Sequence, residues 1–296
     1  MLKCLEGAYD LHVHSGPDVV KRKIDDIDLC KRYLEAGFKG YCIKSHYFCT
    51  AERARTMKQI CPDMDFIGAI SLNKTVGGLN AEAVDVAGRD GAKLVWMPTF
   101  DAANEISFIL GDRCTYDTKP AWMQRVLDRR DAGVVEKGYT VLGEDGKLTK
   151  ETLAVMEAIA AHGMVLCTGH LSIKEIYAVV KAAPDMHVDK VIVTHATWAS
   201  IGLKKEQQLE LAEMGAVIEH ASANIKASYG TTWEQLYGDI RYVGARNCII
   251  SSDCGNVNKP YPDESIEAMV IRLLDNGCTE DDIRIMCAEN PVRLVT

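Results

Sequence analysis

Eight short apolar runs, most followed by an amphipathic stretch of helical period, restrict this chain's fold more than any other feature. The runs are Ala8 to Val13, Gly40 to Ser45, Asp65 to Leu72, Ala92 to Pro98, Met164 to Thr168, Lys190 to Thr194, Ala216 to Glu219 and Asn247 to Ser252. Strands read as buried on both faces and separated by helices belong in a parallel sheet. Helix stops recur as Glu35-Ala36-Gly37, Ala161-His162-Gly163, Glu213-Met214-Gly215 and Asp275-Asn276-Gly277, where glycine tolerates the left-handed backbone that turns the chain into the next strand. An open doubly wound sheet would place a Gly-rich phosphate loop after its first strand, and none is there. The expectation is an α/β fold, a closed (β/α)8 barrel filling residues 1–296 as one domain.

One interval breaks the rhythm. Roughly 65 residues separate the fourth run from the fifth, where about 10 to 20 would do. The excess, 101–148, ends in an expected hairpin, Tyr139 to Leu142 followed by the turn Gly143-Glu144-Asp145-Gly146. Leaving from the carboxyl end of strand four, this insertion lies over the face where such barrels keep their active sites. It is read as a lid that shapes the substrate site, with a homo-oligomer contact or mere decoration as the alternative.

Six of the eight histidines fall at the carboxyl ends of the runs: His12, His14, His46, His170, His195 and His220. In Asp10-Leu11-His12-Val13-His14 a period of two puts Asp10, His12 and His14 on one face, with Leu11 and Val13 toward the helices. Two imidazoles side by side form a pair of divalent-metal ligands that Asp10 could orient. The same alternation groups Leu166, Thr168 and His170; Val191, Val193 and His195; and Ile249, Ser251 and Asp253. A carboxylate leaving an apolar strand, as Asp253 does, is costly to bury unless a metal or charged partner offsets it. His162, at a helix end, and His187, in a loop, are read as structural.

These residues resemble the amidohydrolase superfamily of metal-dependent TIM-barrel hydrolases. The likeness rests on Asp10 to His14 at strand one, Thr-Gly-His170 at strand five, Val-Thr-His195-Ala at strand six, Ser-Ser-Asp253 at strand eight, and the closing Ala288 to Leu294. The resemblance implies that His12, His14 and Asp253 hold the more buried cation, zinc by expectation, and that His170 and His195 serve a second if there is one. Two-metal members take a bridging acid or carboxylated lysine from strand four, but here Lys93 sits at that strand's start and its carboxyl end offers neither. In Cys42-Ile43-Lys44-Ser45-His46, alternation groups Cys42, Lys44 and His46. Lys44, disfavoured as an ammonium among apolar residues and cations, is read either as a carboxylated bridge or as a charged substrate anchor.

The reaction expected is hydrolysis of an amide, lactone or ester bond in a small molecule, with Asp253 taking the proton of the attacking water and His195 near the chemistry. Alternatives are a mononuclear decarboxylase or hydratase using His195 as acid or base, a phosphoesterase, whose usual closing Asp-x-His is missing here, and a metal-stabilised binding protein without turnover. His46, His220 and Arg113 are expected to touch substrate, and Lys44, Lys74, Arg113 and His220 near one mouth would suit an anion. A net charge of −8 without a basic run argues against nucleic acid. Eleven cysteines without a Cys-x-x-Cys pair fit a reducing compartment. With no stretch of ~18 apolar residues and no leader-like start, a cytoplasmic protein off the membrane is expected.

Overall fold

Side-chain alternation sorts the strands' apolar residues into two cores, one inside a barrel and one between barrel and helices. The computed structural model describes residues 2–117, 119, 121–134 and 137–296. Eight parallel strands follow one another in sheet order: β1 (Tyr9–Val13), β2 (Gly40–Ile43), β3 (Asp65–Ser71), β4 (Ala92–Trp96), β5 (Val165–Cys167), β6 (Val191–Val193), β7 (Ala216–Ala221) and β8 (Cys248–Ser251). Each falls within or overlaps an apolar run read from the sequence. The ends of β1 and β8 meet at a seam, where Asp253 N donates to His12 O at 2.7 Å and His14 N to Cys254 O at 2.8 Å.

Around the strands lie α1 (Asp26–Glu35), α2 (Ala51–Ile60), α3 (Ala81–Arg89), α4 (Ala103–Leu110), α5 (Ala121–Asp131), α6 (Lys150–Ala161), α7 (Ile173–Ala182), α8 (Lys205–Glu213), α9 (Trp233–Val243), α10 (Pro262–Asp275), α11 (Glu280–Arg284) and α12 (Asn290–Val295). Glycines 37, 163, 215 and 277, at the expected helix stops, have φ between 59° and 100°. The inner core takes Leu11, Cys42, Ala69, Trp96, Cys167, Ile192, Val217 and Ile249, one from each strand, and Leu294 of α12 packs against it. Val13, Ile43, Val95, Leu166, Val193, Ile218 and Ile250 face outward into the second core beneath the helices.

Between β4 and β5 the chain forms α4, α5 and a turn closed by a bridge between Leu142 and Leu148, with Gly143 N donating to Lys147 O at 2.8 Å. The hairpin expected there is thus reduced to a single bridge. Glu175, in the capping box that starts α7, also accepts from Thr140 Oγ1 at 2.7 Å and Val141 N at 3.0 Å, anchoring this segment. Residues 118, 120, 135 and 136 of the 101–148 segment lie outside the described residues. No helix among the described residues is long and apolar enough to cross a membrane.

Candidate metal centre and its cavity

Simple alternation does not describe β1. Asp10 pairs with Tyr41 and Val13 with Ile43, so three steps on β1 match two on β2, as in a β-bulge. Leu11 and His12 therefore both point into the barrel, and Asp10 faces α1 instead. Asp10 does not orient an imidazole as expected. Its carboxylate accepts from the backbone N of His12 and of Ser252, each at 3.0 Å, and from Tyr33 Oη at 2.5 Å, which satisfies the amide the bulge leaves over. Gly255 passes so close to β1 that a Cβ would meet His14 O at 2.0 Å.

His12, His14 and Asp253 converge at this seam. Asp253 Oδ1 lies 3.0 Å from His12 Nε2 and 3.2 Å from His14 Nε2, and the ligand-capable atoms of the three lie within 4.8 Å of one another. The rear nitrogens are held: His12 Nδ1 is 3.0 Å from Glu219 Oε1, and His14 Nδ1 is 3.1 Å from Lys44 O. Burial resists charge on His12, but Asp253 and Glu219 outweigh it and lift the imidazole to about 9. Burial and Arg22 push His14 down to about 3. A neutral His14 that donates Nδ1–H to a carbonyl turns its Nε2 lone pair toward a carboxylate oxygen. Two acceptors facing each other at 3.2 Å repel unless a positive centre lies between them, and this donor set suits a divalent cation.

Glu219 stands behind the pair. It also accepts from Ser251 Oγ at 2.7 Å and His195 N at 2.8 Å, and despite burial His12 holds its carboxyl down to about 2. Lys44 is 1% exposed; its Nζ lies 2.7 Å from His12 Nε2 and 4.6 Å from the centre of the Trp96 ring. Burial lowers its pKa, in the direction the sequence suggested.

In β5 and β6 the parity is the reverse of that expected: Val165, Cys167 and Ile192 fill the barrel, whereas Leu166, Val191 and Val193 face out. His170 and His195 reach the cavity through the backbone beyond the strands. Gly169, before His170, has φ 59° and no room for a Cβ, which would sit 2.4 Å from Met97 O; His195 itself has φ 26°. The two rings lie 4.8 Å apart edge to face, outside the His12, His14 and Asp253 cluster. His195 Nδ1 is buried with no hydrogen-bond partner among the described residues.

Sequence reading missed Glu105, a fully buried acid on α4. It accepts from Tyr116 Oη at 2.7 Å, Trp198 Nε1 at 3.2 Å and Ser200 Oγ, and stands 3.0 Å from His170 Nδ1. The His170 approach has ion-pair distance but not hydrogen-bond geometry, so that contact is chiefly electrostatic. The signal was an acid beside Ile106, Phe108 and Ile109 in a short helix whose buried face is otherwise apolar.

Metal-centre residues and the 101–148 segment share a cavity of about 370 Å³. His46 lines it, stacked on His14 at 4.6 Å with Nδ1 2.9 Å from Thr99 Oγ1. Two expected substrate contacts are not in it. His220 lies opposite Ile250 on the outward face of β7, 3% exposed, and burial lowers it to about 4. Arg113 is exposed and not among the lining residues, and Arg22 and Lys259 supply cationic wall instead. His162, set aside as structural, holds Asp85 of α3 at 2.8 Å.

A family model described as "Family of unknown function (DUF6282)" matches residues 7–219. No curated protein sequence matches the chain. Solved structures of similar fold include the probable dipeptidase PvdM from Pseudomonas aeruginosa, with TM-score 0.62 and 11% identity over 97% of this chain and 94% of that one. An amidohydrolase from Burkholderia multivorans with bound zinc gives 0.58 and 11% over 97% and 98%. A mutant PTE-like lactonase from Deinococcus radiodurans gives 0.60 and 12% over 100% and 98%. At such identities the likeness is one of fold.

Proposed function

Because the chain belongs to the DUF6282 family, whose function is unknown, its activity has to be read from its own site, and we propose that it is a metal-dependent hydrolase cleaving an amide, lactone or ester bond of a small molecule. The observation that carries this reading is His14 Nε2 facing Asp253 Oδ1 at 3.2 Å beside His12 Nε2, a donor arrangement that suits a divalent cation. The fold shared with a zinc-bound amidohydrolase, a dipeptidase and a lactonase supports it.

A divalent cation held by His12, His14 and Asp253, zinc by preference, would polarise a substrate carbonyl and bring the pKa of water from ~15.7 toward ~7. Glu219 and the Lys44 carbonyl fix the two ligand rings, so their Nε2 atoms are presented without reorganisation. Asn224 Nδ2 donates to Asp253 Oδ2 at 2.8 Å and orients the carboxylate that takes the proton of the attacking water and passes it to the leaving group. His195, kept neutral by burial and by His170, can hydrogen-bond to the substrate. The 101–148 segment, which brings Tyr116 and Trp122 to the cavity, acts as its lid.

Lys44 is the candidate bridge to a second cation on His170 and His195. Burial lowers its pKa and so favours the neutral amine, which would add to carbon dioxide and release a proton to give a carbamate. A mass gain of one carbon dioxide and near two metal equivalents per chain support that bridge; a free amine with full activity ends it. A mononuclear decarboxylase or hydratase with His195 as acid or base is favoured by one observation, that only His12, His14 and Asp253 cluster among the described residues. Near one equivalent, with no ester, lactone or amide hydrolysed, moves the assignment there. For the hydrolase, Asp253→Asn should lower kcat by about 10²- to 10⁴-fold, and unchanged turnover with metal still bound would refute the base role.

A further inference from the structure

The cavity above the metal centre has two walls of different chemistry. On one side Phe100, Trp122, Tyr116 and Trp198 follow one another at ring-centre distances of 6.4, 6.4 and 5.1 Å. Trp198 continues to His195 at 5.4 Å, and His46 joins Phe100 at 5.1 Å. Through His12 and His14 the contacts close on themselves, so one loop of rings surrounds the site. Branched aliphatic side chains contribute only Val20 and Val257 to the lining.

The second wall is cationic. Lys21, Arg22 and Lys259 line the cavity, and Asp253 is the sole carboxylate among the lining residues. Arg22 is ion-paired with Asp18 through Nε at 2.7 Å and Nη2 at 2.5 Å, which leaves Lys21 and Lys259 as the wall's uncompensated cations among the described residues. Lys259 Nζ donates to Ala223 O at 2.7 Å and lies 4.6 Å from the Tyr229 ring centre, next to Trp198. An ammonium has three donors and that bond uses one. A cation fixed at the edge of an aromatic wall matches a ligand with a flat face and an anionic rim.

Resting on the hydrolase reading of the same site, we propose that the substrate is a small aromatic carboxylate, its ring against Trp198 and Trp122 and its carboxylate toward Lys259 and Lys21. A cavity of about 370 Å³ accommodates one ring system with substituents, near the lower end of ligand pockets of about 300–1,000 Å³. Flat rings stack on aromatic walls, whereas saturated rings give up this contact. Asp253 is the single carboxylate among the lining residues and sits at the metal centre, so the wall carrying Lys21 and Lys259 attracts anions.

Calorimetric titration of the full chain, both chelator-treated and zinc-loaded, with benzoate, cyclohexanecarboxylate and benzamide tests the proposal. Benzoate should bind about tenfold more tightly than either comparison ligand, in both preparations, and Lys259→Ala should erase its advantage over benzamide. Equal affinity for benzoate and cyclohexanecarboxylate would overturn the aromatic part, and equal affinity for benzoate and benzamide the anionic part. Hydrolysis is read separately: the predicted binding preference without turnover of aromatic-acid esters, lactones or amides would sink the hydrolase and leave the ligand class standing. Faster cleavage of neutral aliphatic substrates would sink the ligand class and leave the hydrolase.

Discussion

Buried carboxylates need compensation, and Glu105 has three neutral donors and His170 to supply it. Burial alone would raise its pKa, yet His170 and the donors hold it below its usual 4.5. A carboxyl depressed on folding contributes stability above the unfolded value that is lost as pH falls through the folded one. Glu105→Gln should therefore flatten the acid limb of urea-unfolding stability below about pH 4.5; an unaltered limb would show that this charge does not stabilise the fold. Glu105→Ala, which leaves its partners unsatisfied, should cost about 3–5 kcal/mol. At Gly255, alanine brings a Cβ to 2.0 Å from His14 O, so Gly255→Ala should lose about 3 kcal/mol or more and weaken metal retention, read by melting and metal analysis. Exposed Arg113 offers the contrast: Arg113→Ala should leave kcat/KM within about twofold.

At the scale of elements, α12 caps the inner core. Leu294, 4% exposed, packs there, while Asn290 Nδ2 donates to Ala245 O, Arg246 O and Cys248 O beside β8. Leu294→Ala should cost about 2–5 kcal/mol, seen as a lower denaturant midpoint, and an unchanged midpoint would mean that the helix is dispensable to the barrel floor. Strand positions were legible because a strand covered on both faces must be apolar throughout. Facing was less legible. The extra residue at Leu11 and His12 leaves no mark in composition, and it turns Leu11 inward and Asp10 outward while His12 keeps its expected side. At β5 and β6, His170 and His195 follow strands of the opposite parity and reach the cavity through positive φ at Gly169 and His195. Lys44 follows the alternation of β2 and shares the inner side with Cys42, whereas Asp253, two residues beyond β8, reaches the histidines through a positive φ of 48°. Glu219 and Glu105 were visible as acids in apolar segments, but only the tertiary structure pairs them with His12 and His170.

For the whole molecule, metal binding should be linked to global stability. Zinc at 100 times its dissociation constant would add about 2.7 kcal/mol, so melting after chelation should shift upward on zinc return, and His14→Ala should abolish the shift. A chain whose melting ignores zinc throughout would contradict the metal centre. The three donors come from the first and last strands, joined by backbone bonds between Asp253 and His12 and between His14 and Cys254. No partly wound barrel can present them together, because a sequence separation of some 240 residues closes only when β8 meets β1. On the metal-dependent reading, cation capture would therefore come late in the life of each newly made chain, since a chain interrupted short of its eighth strand carries both histidines yet lacks Asp253.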